Sequence, residues 1–214
     1  MDHIIDKYSN KYLFKESNLF FDWYLPLLLN KKKVFNIKKK AKKILSLLYK
    51  RLNFSNSHFV HRDYHVQNLM KIGKKIGVID SQDALIGNPA YDLVSLIDDV
   101  RIKTSKKLKD KIYNYYLKKT FRIYRNEPEK FLEDFNILSV QRNLKIIGIF
   151  SRLFRRDKKK QFLKFIPYTW KLLEMRMNSE IFLKLKKILD INVPKKFRKK
   201  LYINENISSF PKNF

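Results

Sequence analysis

A polar octapeptide, HRDYHVQN from His61 to Asn68, runs directly into LMKI, then Gly73-Lys74-Lys75, then IGVI and Asp80. Two four-residue apolar runs around a glycine-containing turn predict a β-hairpin. This hairpin restricts the fold more than any other feature, because nearly everything around it repeats with a helical period. Residues 16–30, ESNLFFDWYLPLLLN, predict a helix with a kink at Pro26. Ile37, Ala41, Ile44, Leu45, Leu48 and Leu52 recur at helical spacing with lysines on the opposite face, and the polar cluster at 53–57 ends that run. After Gly87, Asn88 and Pro89, helical periodicity returns over 90–100, 104–124, 129–155, 158–177 and 179–190. Pro128 and Pro167 stand near predicted helix starts, where a missing N–H costs nothing. Residues 193–214 have no convincing period and are expected to form a flexible tail. The expected fold class is therefore mostly α with a small β-hairpin, an α+β arrangement in one domain over residues 1–192.

Composition narrows the function. The 214 residues include no cysteine, which removes disulfide frameworks, thiolate metal sites and cysteine nucleophiles. The apolar stretch from Leu19 to Leu29 is interrupted by Asp22 and Pro26 and falls short of the roughly 20 residues that cross a bilayer, so no membrane partner is expected. The N-terminus lacks the apolar run of a signal peptide, and a cytoplasmic location is expected. A net charge of +28 could draw nucleic acid or phosphorylated small molecules. The lysines, however, are spread in short clusters along the whole chain and form no single stripe, a pattern of global lysine enrichment that names no partner.

The hairpin gathers the residues that can do chemistry. Asn68 precedes its first strand and Asp80 follows its second, so antiparallel pairing should bring them side by side, about 5 Å apart at Cα. Asp63, five residues before Asn68, lies in a loop able to fold over the same point. Two carboxylates and a carboxamide are hard oxygen ligands suited to Mg²⁺, which keeps several positions for water and substrate phosphates. His58, His61 and His65 have spacings that would suit a zinc site on a helix, but they lead directly into a strand pattern, and a bracing role is expected for His61 and His65. Asp92 is expected to stabilise the loop or a helix N-terminus. Asp83 is a loop cap or a pocket residue. Gln141, Arg142, Asn143 and Lys145 interrupt an apolar helix; they form either a face toward a pocket, binding sugar hydroxyls or an acidic group, or a solvated face.

HRDYHVQN followed by GVIDSQD resembles the catalytic and metal-binding loops of the protein-kinase-like phosphotransferases, in the aminoglycoside phosphotransferase and choline kinase branch. GNPAYDLVSLIDD is similar to that branch's G-x-P-x-x-D-L segment. With LFFDWYLP and QRNLKIIGIFSRL, these segments further resemble bacterial kinases that phosphorylate the anomeric hydroxyl of N-acetylmuramate and N-acetylglucosamine. The resemblance covers roughly residues 15–190. It implies a catalytic loop at 61–68, a metal loop at 80–92 and a helical substrate region at 104–190. It implies Asp63 as the catalytic residue, Asn68 and Asp80 as holders of Mg²⁺ against ATP, and a small-molecule acceptor such as an amino sugar. Arg62 matches the arginine that eukaryotic-type kinases pair with a phosphorylated segment. Only eleven residues separate Asp80 from Asp92, leaving no room for such a segment, and a local salt bridge is expected instead.

Kinases of this kind close over the nucleotide with a sheet-rich upper lobe. Only 62 residues precede Asp63, they read as helices, and no glycine-rich phosphate loop occurs anywhere. The expectation is a C-terminal lobe with the N-terminal lobe absent. Three readings follow: the lower lobe of a kinase completed by a separately encoded N-terminal lobe, an inactive remnant that binds ligand, or a basic nucleic-acid-binding protein. The first is preferred.

Overall fold

The computed structural model describes residues 5–199. The first helix, α1 (Asn10–Leu19), starts earlier than expected and passes into a π-helical turn over Phe20–Tyr24 and a 3-10 turn over Leu25–Leu27. Pro26, which has no N–H to donate, lies in that last turn. The widened turn buries the adjacent residues Phe20 and Phe21 together with Tyr24 and Leu25, more than one stripe of a regular helix could present. Helix α2 (Lys31–Lys50) is capped by the Asn30 side chain, which accepts from the Lys33 N–H at 3.0 Å, and buries Ile37, Ala41, Leu45 and Leu48 as their spacing requires.

Four short strands follow: β1 (His58–Val60), β2 (Leu69–Ile72), β3 (Lys75–Val78) and β4 (Leu85–Gly87). The pair β2–β3 is the expected hairpin. Antiparallel β1–β4 is a second pair whose three-residue strands are too short to carry a periodic signal. The β2–β3 register differs from expectation by one residue. Gly73, at φ +58, opens a two-residue loop, so Ile72 pairs with Lys75 and Leu69 with Val78. Asn68 consequently faces Ile79, and Asp80 lies one position beyond.

The remaining described residues are mostly helical: α3 (Ala90–Ile97), α4 (Lys106–Lys119), α5 (Arg122–Arg125), α6 (Pro128–Arg155), α7 (Ile166–Arg176), α8 (Leu183–Asn192) and α9 (Lys195–Lys199). Pro128 and Pro167 occupy the first turns of α6 and α7. The described structure is thus mostly helical with two small antiparallel sheets. Among the described residues no helix is long and apolar enough to cross a membrane.

Helix α6 is the axis, packing against α1, α3 and α7. Several of its buried polar residues secure other segments. Asp134 accepts the N–H groups of Asn53 and Phe54 at 2.7 and 3.0 Å and the Asn88 amide at 2.6 Å, closing the connection from α2 to β1 onto the loop before α3. Ser139 donates to Asp98, which also receives a two-pronged Arg176 guanidinium and the Lys109 ammonium. The first residues of the stretch expected to be a flexible tail are packed against the helices. Val193 is buried, and Arg198 reaches Glu174 and Asp190 at 2.7 and 2.8 Å; residues 200–214 lie outside the described residues.

Gly148 lets α6 approach the start of the π turn. A Cβ there would lie 2.3 Å from the Leu19 carbonyl carbon and 2.5 Å from the Phe20 nitrogen, both backbone atoms that cannot swing aside. Gly148→Ala should cost about 3 kcal/mol through overpacking and lower Tm by roughly 6–12 °C, measured by thermal circular dichroism.

Candidate active site

The loop before β2 is held by its own backbone and by two carboxylates, one of them Asp99, which accepts the Val66 N–H at 3.3 Å. Asp92, in the first turn of α3, accepts the His61 N–H at 2.7 Å and the Arg62 N–H at 3.0 Å. Burial pushes the Asp92 carboxyl above its ordinary range, and the two N–H donors oppose that push. Between them Arg62 adopts φ +70, a left-handed conformation a β-carbon disfavours, which surrounding bonds must maintain. His61 is buried, and its Nε2 lies 2.9 Å from the Ile79 carbonyl, fastening the loop to the end of β3.

Asn68 connects the other two residues of interest. Its Nδ2 donates to the Asp63 carbonyl at 2.9 Å, while its own carbonyl accepts the Ile79 N–H at 3.1 Å. The amide nitrogen faces a carbonyl, so the side-chain oxygen is the end left to meet a cation. Asp80 follows Ile79 with φ +69, a left-handed turn that redirects it where the strand ends, and its carboxylate accepts the Gln82 amide at 2.6 Å. Asp63 is partly buried, and no protein hydrogen bond to its carboxylate is seen among the described residues. Asp63, Asn68 and Asp80 therefore share the mouth of the hairpin, linked through Asn68, although Asp80 stands one residue further along than the sequence suggested. Asp83 is exposed, and its contribution to the loop is its carbonyl, which accepts from Arg62 Nη1 at 2.7 Å.

The histidines do not converge. His58 contacts Ser57 and Tyr124, His61 contacts Ile79, and His65 is held below the ordinary histidine range by burial and by Arg101 and Arg142 nearby. Among the described residues no three or more His, Asp or Glu side chains are grouped to hold a metal ion; the hairpin set is two carboxylates and a carboxamide.

The polar run of α6 is not a solvated face. Gln141, Arg142, Asn143 and Lys145 are all buried. Successive helical residues point about 100° apart, so the four cannot meet at one point. Asn143 turns back to Ser139. Arg142 lies on the side that influences His65, Asp92 and Arg101, with its Nε and Nη1 unpartnered. Gln141 and Lys145, four residues apart, both reach Glu16 on α1, at 3.1 and 3.0 Å.

Glu16 is the residue that sequence reasoning missed. It is 6% exposed and also receives the Tyr8 hydroxyl and Arg62 Nη2, the latter at 2.5 Å. The partner of Arg62 thus comes from 46 residues upstream and is not local, because the short 81–91 loop offers Arg62 only a carbonyl. A signal did exist: Glu16 falls on the buried face of α1 between Leu13 and Phe20, where an acid is out of place unless paired. A cavity of about 630 Å³, lined by Leu28, Ile37, Ile188 and Phe197 among others, shares no residue with this site and no acid lines it.

Burial would push the Glu16 carboxyl up, but Lys145, then Tyr8 and Arg62, outweigh it and hold it at about 2 against an ordinary 4.5. A carboxyl so depressed stabilises the fold above pH 4.5, and that contribution fades as pH falls toward 2. Glu16→Gln should therefore have a lower Tm than the native chain at pH 7, with the gap narrowing as pH drops from about 4.5 to 2. Melting curves across that range measure it.

The chain is similar to known proteins over much of its length. The model of the phosphotransferase enzyme family matches residues 5–128. An N-acetylmuramate/N-acetylglucosamine kinase of Neisseria meningitidis serogroup B is 34% identical over 167 residues, covering 77% of this chain and 50% of that protein. A protein of the same name from Pseudomonas aeruginosa is 35% identical over 174 residues, covering 80% and 52%. One from Caulobacter vibrioides is 32% identical over 146 residues, covering 66% and 39%. The chain spans about half the length of the relatives it matches.

Proposed function

The chain belongs to the phosphotransferase enzyme family, and from that premise we propose that it carries the catalytic half of an ATP-dependent kinase acting on a hydroxyl of an amino sugar or similar small molecule. The observation that carries this reading is the pair of hydrogen bonds of Asn68, its side chain donating to the Asp63 carbonyl and its backbone carbonyl accepting from Ile79, the residue before Asp80. Asp63 has a carboxylate free to meet the acceptor hydroxyl. It orients that hydroxyl and takes its proton as the oxygen attacks the γ-phosphorus and the bond to ADP breaks.

Asn68 and Asp80 would hold Mg²⁺ through one carboxamide and one carboxylate, a donor set of hard oxygens that fits this ion. Bound there, it would neutralise charge on the transferring phosphate. Lys145, held above the ordinary lysine range against burial by Tyr91, Glu16 and Asp63, adds fixed positive charge behind the loop. Of the proposed substrate residues, Arg142 has unpartnered donors on the loop side, whereas Gln141 and Asn143 spend their amide nitrogens on Glu16 and Ser139 and keep only their amide oxygens unpartnered. Asp83 remains a rim residue. The amino-sugar acceptor rests on the names of the relatives.

We read residues 1–192 as a C-terminal lobe, working in the cytoplasm, and the second wall of the nucleotide site as polypeptide beyond these 214 residues. The hairpin supports this. Met70, Ile72, Ile76, Val78 and Ile79 are 52, 64, 62, 44 and 47% exposed on a two-stranded ribbon that has little stability by itself. Such a ribbon calls for cover.

The test is transfer from radiolabelled ATP to N-acetylglucosamine and N-acetylmuramate, with the chain alone and with the N-terminal half of one of its sugar-kinase relatives added. Activity is expected with the added half, should disappear on chelation of Mg²⁺, and should fall about 10²–10⁴-fold in Asp63→Ala. Ligand binding without turnover in either arrangement would mark a binding protein. Salt-dependent nucleic-acid affinity that survives Asp63→Ala would overturn the phosphotransferase reading.

A further inference from the structure

Arg62 stands between the two loops of the site. Its Nη2 donates to Glu16 Oε1 at 2.5 Å and its Nη1 to the Asp83 carbonyl at 2.7 Å, with the guanidinium carbon 5.5 Å from the centroid of the Tyr8 ring. Residue 62 immediately precedes Asp63, and Asp83 lies three residues after Asp80. A single planar fork thus ties the Asp63 loop to the Asp80 loop, and its direction is set by the anion at its other end. That anion has little freedom. Glu16 Oε1 receives Arg62 and Lys145, and Oε2 receives Tyr8 and Gln141, so neither oxygen can turn away.

We propose that Glu16 is a positioning residue whose buried carboxylate holds the Arg62 fork across both loops and thereby sets the spacing of Asp63 and Asp80. Without the anion, a guanidinium only partly exposed would be left uncompensated and would turn toward water, releasing the Asp83 carbonyl. Glu16 itself touches none of the three residues at the hairpin mouth. The consequence for catalysis rests on the proposed phosphotransferase function; the mechanical coupling does not.

Amide hydrogen exchange of the full 214-residue chain separates the two. The informative N–H groups are those of Asn68, Ile79 and Ala84, which bond to the His65, Asn68 and Ser81 carbonyls. In Glu16→Gln these should exchange about ten-fold faster, while α7 and α8 keep native protection. If Glu16→Gln does not fold, Arg62→Lys decides. It preserves the charge opposite Glu16 but has no second prong for Asp83, and should loosen the same amides. Native protection at these amides in the folded variants overturns the clamp, and so does exchange rising evenly through the core, the mark of ordinary destabilisation. In the kinase assay with the added half, Glu16→Gln should lower kcat about ten-fold or more and leave KM for ATP within about two-fold. Unchanged kcat beside loosened loops would also overturn the proposal. A native chain that transfers no phosphate sinks the phosphotransferase reading, while the exchange result still judges the clamp.

Discussion

A carboxylate removed from water must be met by donors or it will not stay charged. Glu16 is met by four: Tyr8 from the N-terminal segment, Arg62 from the loop before β2, and Gln141 and Lys145 from α6. These come from three separate parts of the chain, and satisfying one buried charge brings them to a common point. The N-terminal segment is held there independently as well, since the Tyr8 N–H donates to the Ile86 carbonyl at 2.7 Å and the Tyr8 and Tyr91 rings meet edge to face at 4.9 Å. Arg62 joins this arrangement to the loops at the hairpin mouth, preceding Asp63 in the chain and donating to the Asp83 carbonyl.

Helix α6 shows how a buried helix can remain polar. Asp134 spends its hydrogen bonds on the α2–β1 connection, Ser139 on the end of α3, and Gln141 and Lys145 both on α1. Every such bond replaces one that water would otherwise make, so each contributes little net stability; an unmet partner would cost considerably more. Their value lies in specificity. A helix with only apolar residues could slide or rotate against its neighbours, whereas these pairings hold in one register only.

Much of this was legible beforehand. The lysine-backed spacing of α2, the proline starts of α6 and α7, and the glycine turn of the hairpin are local signals, and local physics produces them. The octapeptide around Asp63 and the acid after the second strand were enough to suggest a phosphotransferase. The departures have equally physical sources. The one-residue shift of the hairpin follows from Gly73 taking a left-handed φ, which shortens the loop to two residues. The strands β1 and β4 have only three residues each, too few for a period to emerge. The polar run at 141–145 was compatible with a pocket or with solvent, because periodicity locates a face but not what lies opposite it.

The sequence by itself determined the helical periods, the place of the hairpin and the identities of Asp63, Asn68 and Asp80 as its flanking residues, since these depend on neighbours within a few positions. Only the tertiary structure decided that Arg62 would answer to Glu16, 46 residues away, and that Lys145 would join them. Charge pairing over such a distance is a property of the packed interior. Burial removes the competing water there, and which two charges must then satisfy each other depends on how the helices come together.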